Sequence, residues 1–411
     1  MKAQVAALVA ATLIWAALPG RAGPRVKWTF EAKGRIYTSP VAADLLPAPG
    51  LEILVASSED RVLHCLDARG RELWRYSDFT ARLTSTPSVA DLDGDGALDI
   101  VVGGGDGTLT RLDARGRPMW RVTLEGKVDW GCPVIADVDG GGAPEIVVNT
   151  GDGVVHCVSA AGQILWQTEP ETANSLPLSA ADVDGDGRAE IFAASPKWTL
   201  VCLGRDGKVR WRHEATSRLD STGLADLDGD GALELLVTTG DRGVACHSAL
   251  DGAERWAHAL GHAGGRVDRA STVSVGDLDA DGRAEVLYAV GTLVCLSHEG
   301  RERWLAPIRF EVENGPALGD VDGDGRIEAL LGDDAGVVHC LGPDGRVEWT
   351  FATDFRIRSS PTLADVDGDG AVEILVTSND HRLYCLSAGG DTDALPWPSR
   401  RHDPAQTGAA E

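Results

Sequence analysis

One recurring pattern limits what this chain can fold into. The stretch "ADLDGDGALDIVV" from Ala90 returns as "ADVDGGGAPEIVV" from Ala136, "ADVDGDGRAEIFA" from Ala181 and "ADLDGDGALELLV" from Ala225. It continues as "GDLDADGRAEVLY" from Gly276, "GDVDGDGRIEALL" from Gly319 and "ADVDGDGAVEILV" from Ala364, and a worn copy, "ADLLPAPGLEILV" from Ala43, opens the series. The leading aspartates Asp44, Asp91, Asp137, Asp182, Asp226, Asp277, Asp320 and Asp365 lie 43 to 51 residues apart. A second signature keeps the same interval: a glycine turn followed by a tryptophan strand, as in "LDARGRELW" ending at Trp74, repeated at Trp120, Trp166, Trp211, Trp256, Trp304 and Trp349. Residues 87–123 show the unit: "PSVADL", the acidic loop, "DIVVGG", a turn at Gly105–Gly107, "TLTRLDA", a turn at Gly116, then "PMWRVT". Four short strands in about 45 residues match a propeller blade, which buries both faces of its sheet only against neighbours in a ring.

The count of strands predicts how the ring closes. There are eight acidic loops but seven tryptophan strands after them, and the missing strand lies at the other end, in "RVKWTFEA" with Trp28. Trp28 precedes Trp74 by 46 residues, one repeat. The expectation is an all-β, eight-bladed propeller of four-stranded blades, closed by the N-terminal strand so that no sheet edge stays open. Seven blades would result if the worn first repeat formed none.

Residues 1–22 read as a secretory signal peptide: Lys2, an apolar run over 3–18, then Gly20 and Ala22 at the cut. The run approaches the length of a membrane span, so an uncleaved anchor is the alternative. The predicted organisation is 1–22 leader, 23–390 propeller, 391–411 tail, in a secreted or periplasmic monomer with no membrane span after cleavage. A formal net charge of −25 argues against nucleic acid or an anionic membrane as partner. Glycine numbers 50, while 43% hydrophobic residues is ordinary for a folded chain, so the glycines belong to turns.

The acidic loops begin like calcium loops. Asp91, Asp93 and Asp95 occupy positions 1, 3 and 5, Gly96 permits the reversal, and Asp99 stands at position 9. Calcium takes six to eight oxygens at flexible distances, which alternating carboxylates and a backbone carbonyl supply. Position 12 is Val102, inside a strand, so the acid at position 9 replaces the bidentate glutamate of a helical calcium loop. The other complete copies are Asp182/Asp184/Asp186/Glu190, Asp226/Asp228/Asp230/Glu234, Asp277/Asp279/Asp281/Glu285, Asp320/Asp322/Asp324/Glu328 and Asp365/Asp367/Asp369/Glu373. About six Ca²⁺ ions are therefore expected, each tying the first two strands of a blade. Asp137, Asp139 and Glu145 form a weaker set because Gly141 replaces the third aspartate, and the first repeat keeps Asp44 and Glu52 alone.

"PSVADLDGDGALDIVV" resembles the FG-GAP (VCBS) repeat of integrin α-like secreted propellers, and "LDARGRELW" resembles the repeat of PQQ-like, quinoprotein-type propellers. Together the resemblances cover about residues 25–390. They imply the propeller fold strongly and an activity weakly, because function is grafted onto folds. The resemblance to quinoprotein dehydrogenases implies a vicinal cysteine pair against the cofactor, and this chain has no adjacent cysteines. Some rhamnogalacturonan lyases are calcium-rich eight-bladed propellers, which makes a polysaccharide lyase the other enzyme reading, but no long insertion here builds a cleft. A non-enzymatic scaffold that binds a protein or glycan is the expected function, with no catalytic residues.

Cys65, Cys157, Cys202, Cys246, Cys295, Cys340 and Cys385 share one place in the third strand, where the second blade has Arg111. Equivalent positions on neighbouring blades are too far apart for disulfides, so these read as small packing residues. The tryptophans read as covers over the gaps between blades. Ligand candidates sit where a connection enters a first strand, near the channel mouth: Tyr37, Trp130, Asp220, Arg269, Glu313 and Arg358.

Overall fold

The structure, a computed structural model, describes residues 23–399 apart from 131, 170–176, 196–197, 241–242, 261–270, 309–310, 313 and 392–394. Its described residues form eight four-stranded antiparallel sheets. Blades 1 to 7 each use four consecutive strands, spanning 41–76, 88–123, 134–168, 179–214, 219–259, 274–307 and 317–352. The eighth takes three strands from 362–391 and completes itself with the N-terminal strand Arg25–Glu31. The worn first repeat does form a blade, and the ring closes as the strand count predicts. The leader expected over 1–22 lies outside the described residues.

Burial explains the sequence pattern strand by strand. Second and third strands, such as Asp99–Gly103 and Thr108–Leu112, are buried at every position, so they read as continuous apolar runs. Fourth strands such as Val209–Glu214 alternate between half-buried and exposed, because their outer edge meets solvent. The half-buried tryptophan of the fourth strand docks on the next blade. The Trp28 indole N–H donates to the Ala68 carbonyl at 2.9 Å, and Trp74, Trp120, Trp211, Trp256 and Trp304 repeat the bond to the following blade. The glycine of that blade's last turn lies under the indole: a Cβ on Gly70 would stand 2.4 Å from the Trp28 ring, and its φ of +75° also favours glycine. Trp349 faces blade 8, which lacks this turn because the chain is cut there, and its buried indole N–H finds no partner among the described residues.

A second belt runs round the channel. Ser88 and Ser274, on first strands, donate hydroxyls to the carbonyls of Pro133 and Pro316 in the next blade, and Thr362 donates to Pro40 at 2.8 Å across the closure. The tail joins this inner wall. The Leu318 and Leu363 N–H groups donate to the carbonyls of Trp397 and Pro398 at 2.7 and 2.8 Å, and Trp397 is buried. The last strand, Arg382–Asp391, runs to the expected start of the tail, yet the chain beyond it returns to line the channel along blades 7 and 8. Trimming after Ala388 would remove this lining.

Candidate metal centres and the channel mouth

Each acidic loop is organised by its first aspartate. The Gly94 and Gly96 N–H groups donate to Asp91 at 2.8 and 2.9 Å, and the same pair of bonds recurs at Asp182, Asp226, Asp320 and Asp365. Asp277 takes the second of them from Gly282. The Gly96 and Gly94 amides hold Asp91 below the usual carboxylate range, so it stays charged. The acid at position 9 lies at or near the start of the second strand and is buried in every blade. One of its oxygens accepts an N–H from inside the loop, as from Leu278 to Glu285 and Val366 to Glu373, both at 2.9 Å.

The aspartates at position 5 are placed differently from loop to loop: Asp230 lies within ligand distance of Asp226 and Asp228. Asp186 stands apart from the group that Asp182, Asp184 and Glu190 form: it is exposed, and it pairs with Arg188 at 3.1 Å. Asp281 is exposed as well, and its Oδ1 accepts the Arg283 N–H at 2.9 Å, two residues on. Asp95, Asp230 and Asp369 make that same local bond, from Ala97, Ala232 and Ala371. The physical reason is turn chemistry. A short aspartate side chain next to a tight reversal bonds the backbone two residues ahead or a neighbouring cation, and Asp230 does so while still lying within reach of Asp226 and Asp228. As folded, Asp186 and Asp281 shape the turn; the acids that come together are those at positions 1, 3 and 9 in blades 2, 3 and 4 and at positions 1, 3 and 5 in blade 5.

In five of the six complete loops the protein supplies a cation to those inner acids. The residue before the docking tryptophan does this in blades 4, 5, 6 and 8. Arg210 bonds Asp184 at 2.6 Å and also Glu190, and Arg303 bonds Asp279 at 2.6 Å and also Glu285. Arg255 reaches Glu234 at 2.5 Å, and Lys27 reaches Asp367 at 2.6 Å and Glu373 at 2.8 Å. In blade 2 that place is Met119, and Arg111, at the cysteine position, takes the role: its Nε and Nη2 meet Asp99 at 2.8 and 2.6 Å and Nη2 also meets Asp93. These are charge-assisted bonds to buried carboxylates. Sequence reasoning missed them, although the basic residue before Trp28, Trp211, Trp256 and Trp304 was the available signal.

Blade 7 breaks the rule in the direction that calls for a metal. Glu348 stands where the arginine would be, so a fifth carboxylate joins Asp320, Asp322, Asp324 and Glu328. Asp320, Glu328 and Glu348 are 4%, 0% and 5% exposed. The end of the last strand covers the loop: a Cβ on Gly390 would stand 2.3 Å from the Asp320 carbonyl. Glu328 Oε1 is buried with no hydrogen-bond partner among the described residues. Arg326 reaches Asp324 at 2.7 Å and Glu348 at 3.2 Å from the loop's half-exposed flank. An oxygen-rich, buried, acid-excess cluster with an orphaned carboxylate oxygen fits a hard divalent cation. In blade 3, Asp137, Asp139 and Glu145 come together with Leu165 at the arginine position, whereas the first repeat offers only Asp44 and Glu52.

Burial, then the charges of Asp322, Glu348 and Asp324, push Glu328 up to about 8 from 4.5. Between those values the folded, metal-free chain keeps a proton that the unfolded chain has released. Stability from this group is full below about pH 4.5 and is lost as pH rises to about 8. In EDTA the melting temperature should fall between pH 5 and 8, and Glu328→Gln should flatten the fall. Calcium should flatten it as well, because a bound cation holds the carboxylate charged. Melts with the same slope in wild type and Glu328→Gln would contradict this.

At the channel mouth the structure brings two of the expected ligand residues together. Tyr37 and Trp130, from different connections, meet edge to face with ring centroids 6.1 Å apart. Trp130 is 42% exposed and holds a left-handed backbone, φ +59°, uncommon for a bulky residue. Asp220 is not on the open rim: it is buried, with Arg218 Nε 2.8 Å away. Arg358 is tied down, its Nε 3.4 Å from Asp334 and its carbonyl accepting from the Asn314 amide. Arg269 and Glu313 lie outside the described residues. All eight cysteines are buried thiols, so no disulfide ties the blades.

Ring, docking tryptophans and acidic hairpins define a repeat-built propeller of the PQQ-like class with FG-GAP-like loops. The chain belongs to the PQQ-like repeat family whose profile is described as outer membrane protein assembly factor BamB, matched over residues 2–128 and 151–329. An FG-GAP-like repeat matches residues 320–376, the blade 7 to blade 8 region, and a lambda-carrageenase β-propeller domain matches 100–181. No curated protein matches the chain. Among solved structures, BamB from Moraxella catarrhalis is 18% identical, with 89% of this chain and 98% of that chain covered and a TM-score of 0.62. Sqt1 of Saccharomyces cerevisiae is 10% identical over 87% of this chain and 97% of its own, at 0.71. A europium-containing methanol dehydrogenase is 13% identical over 89% and 93%, at 0.62. At these identities the likeness is one of fold.

Proposed function

We propose that this chain is a secreted or periplasmic scaffold propeller that binds a protein ligand at its channel mouth and acts without catalysis. The aromatic pair Tyr37–Trp130 carries the reading: an exposed, strained tryptophan beside a second ring is the kind of anchor on which interfaces concentrate their energy. Membership of the BamB-described family supports a protein ligand and a periplasmic setting. Calcium serves the scaffold. The blade 7 loop, with Asp320, Asp322, Asp324, Glu328 and Glu348, is the one that needs it, and the five complete loops with their own arginine or lysine hold without it. A glycan is the second reading, because the lambda-carrageenase propeller profile spans residues 100–181 and so includes Trp130. Wild type and Trp130→Ala should be run side by side on an oligosaccharide array and in crosslinking capture from outer-membrane extract. The expected result is a ligand held by wild type, lost at least tenfold in Trp130→Ala, with unchanged melting. Equal binding by both would place the ligand elsewhere.

A further inference from the structure

Because the chain repeats itself, seven blades serve as controls for the eighth. The residue after the third-strand cysteine position is Leu66, Leu112, Val158, Leu203, Leu296, Leu341 or Leu386 in seven blades, and His247 in blade 5. His247 is 3% exposed and faces blade 4. Across the seam, two residues beyond the docking Trp211, stands His213, with ring centroids 4.6 Å apart. Glu254, the fourth-strand partner of His247, completes the group. One ligand atom from each of His213, His247 and Glu254 lies within 4.8 Å of the other two. The residue two before His247 is Ala245, where the other seven blades carry a valine, threonine, histidine or tyrosine, and its small size leaves room beside the imidazoles. A cavity of about 230 Å³ opens there, lined by all three residues and by Ala245.

We propose that His213, His247 and Glu254 bind a zinc-class transition-metal ion across the seam between blades 4 and 5. Two imidazole nitrogens and a carboxylate are the donors of open zinc sites, which keep a fourth position for water or a small ligand. The cavity gives that position its space. His247 is oriented as such ligands are: its Nδ1 lies 3.2 Å from the Gly252 carbonyl, so Nδ1–H donates there and Nε2 is left with its lone pair for the metal. Nitrogen donors also separate this site from the acidic loops, whose oxygens suit calcium. A bound ion would add a metal link between two blades that meet through packing, the Trp211 bond to Ala249 and the Ser179–Thr222 hydroxyl pair at the channel.

The test is metal titration of EDTA-stripped full-length protein with millimolar calcium present throughout to occupy the acidic loops. Wild type should take up one equivalent of Zn²⁺ with micromolar or tighter affinity. Co²⁺ in its place should give the intense visible bands of a four-coordinate site. His247→Leu installs the residue other blades use, so it should fold, and it should lose the equivalent. Glu254→Gln, at an exposed position, should weaken binding at least tenfold without altering the melt. No zinc uptake by wild type, or uptake unchanged in folded His247→Leu, would overturn the proposal.

Discussion

A chain lacking residues 23–33 is expected to aggregate or to melt without cooperativity. The shorter N-terminus loses three interactions at once. The strand Arg25–Glu31 no longer pairs with Arg382–Asp391, which leaves a long strand as an open edge. The half-buried Trp28 no longer fills the seam over Gly70. Lys27 leaves Asp367 and the buried Glu373 without their cation. Size-exclusion chromatography and thermal melts read the outcome. A monomeric, cooperatively melting product would mean that the ring does not depend on this strand.

Arg303→Met should make the protein depend on calcium for stability. Without the guanidinium, Glu285, 2% exposed, and Asp279 face each other with no cation, and breaking such a pair costs about 3 kcal/mol. The vacated space between oxygen ligands is what a calcium loop offers, so added Ca²⁺ should restore most of the loss. At 100 times its dissociation constant a bound ion contributes about 2.7 kcal/mol. Denaturant melts of wild type and Arg303→Met in EDTA and in calcium give the four values needed. The wild-type loop should gain nothing from calcium. A variant that is destabilised equally with and without calcium would show that the arginine does not stand in for a metal.

Blade number, closure and tryptophan docking were legible because they are periodic. A 45-residue beat makes each blade testify for the others, and one displaced strand, Trp28 before Trp74, gives away the closure. The chemistry of the loops was only half legible. Six sets of acids at one spacing look alike, but what faces them comes from 12 to 346 residues away in the chain, as Arg111 to Asp99 and Lys27 to Glu373 show. Nor does spacing tell which acids turn inward: Asp186 and Asp281 match the calcium pattern letter for letter, yet each is held at the loop's rim by the arginine two residues on. Fourth-strand arginines read as solvent-facing because alternate residues there are exposed, yet a long side chain at an exposed position can fold back over the turn and bring its charge to a buried carboxylate. Glu348 was hidden for the same reason, being one acid among many until the place it occupies is compared with Arg210, Arg255 and Arg303. The His213–His247 contact crosses a seam between two blades, and no periodicity within one blade reports it.

The closing strand also sets an order of events. The first strand to be made pairs with the last, so Lys27 and Glu373 must meet across 346 residues of chain. Closing so long a loop costs about 2 kcal/mol more in chain entropy than closing one of blade size, and contacts of such sequence separation slow folding. Blades 1 to 7 can collapse as the chain emerges, each on the one before it, but the ring stays a crescent with two bare faces until residue 391 arrives. The N-terminal strand therefore acts as a latch thrown only once the last propeller strand has been made, and the unlatched crescent is the species most exposed to misassembly between copies.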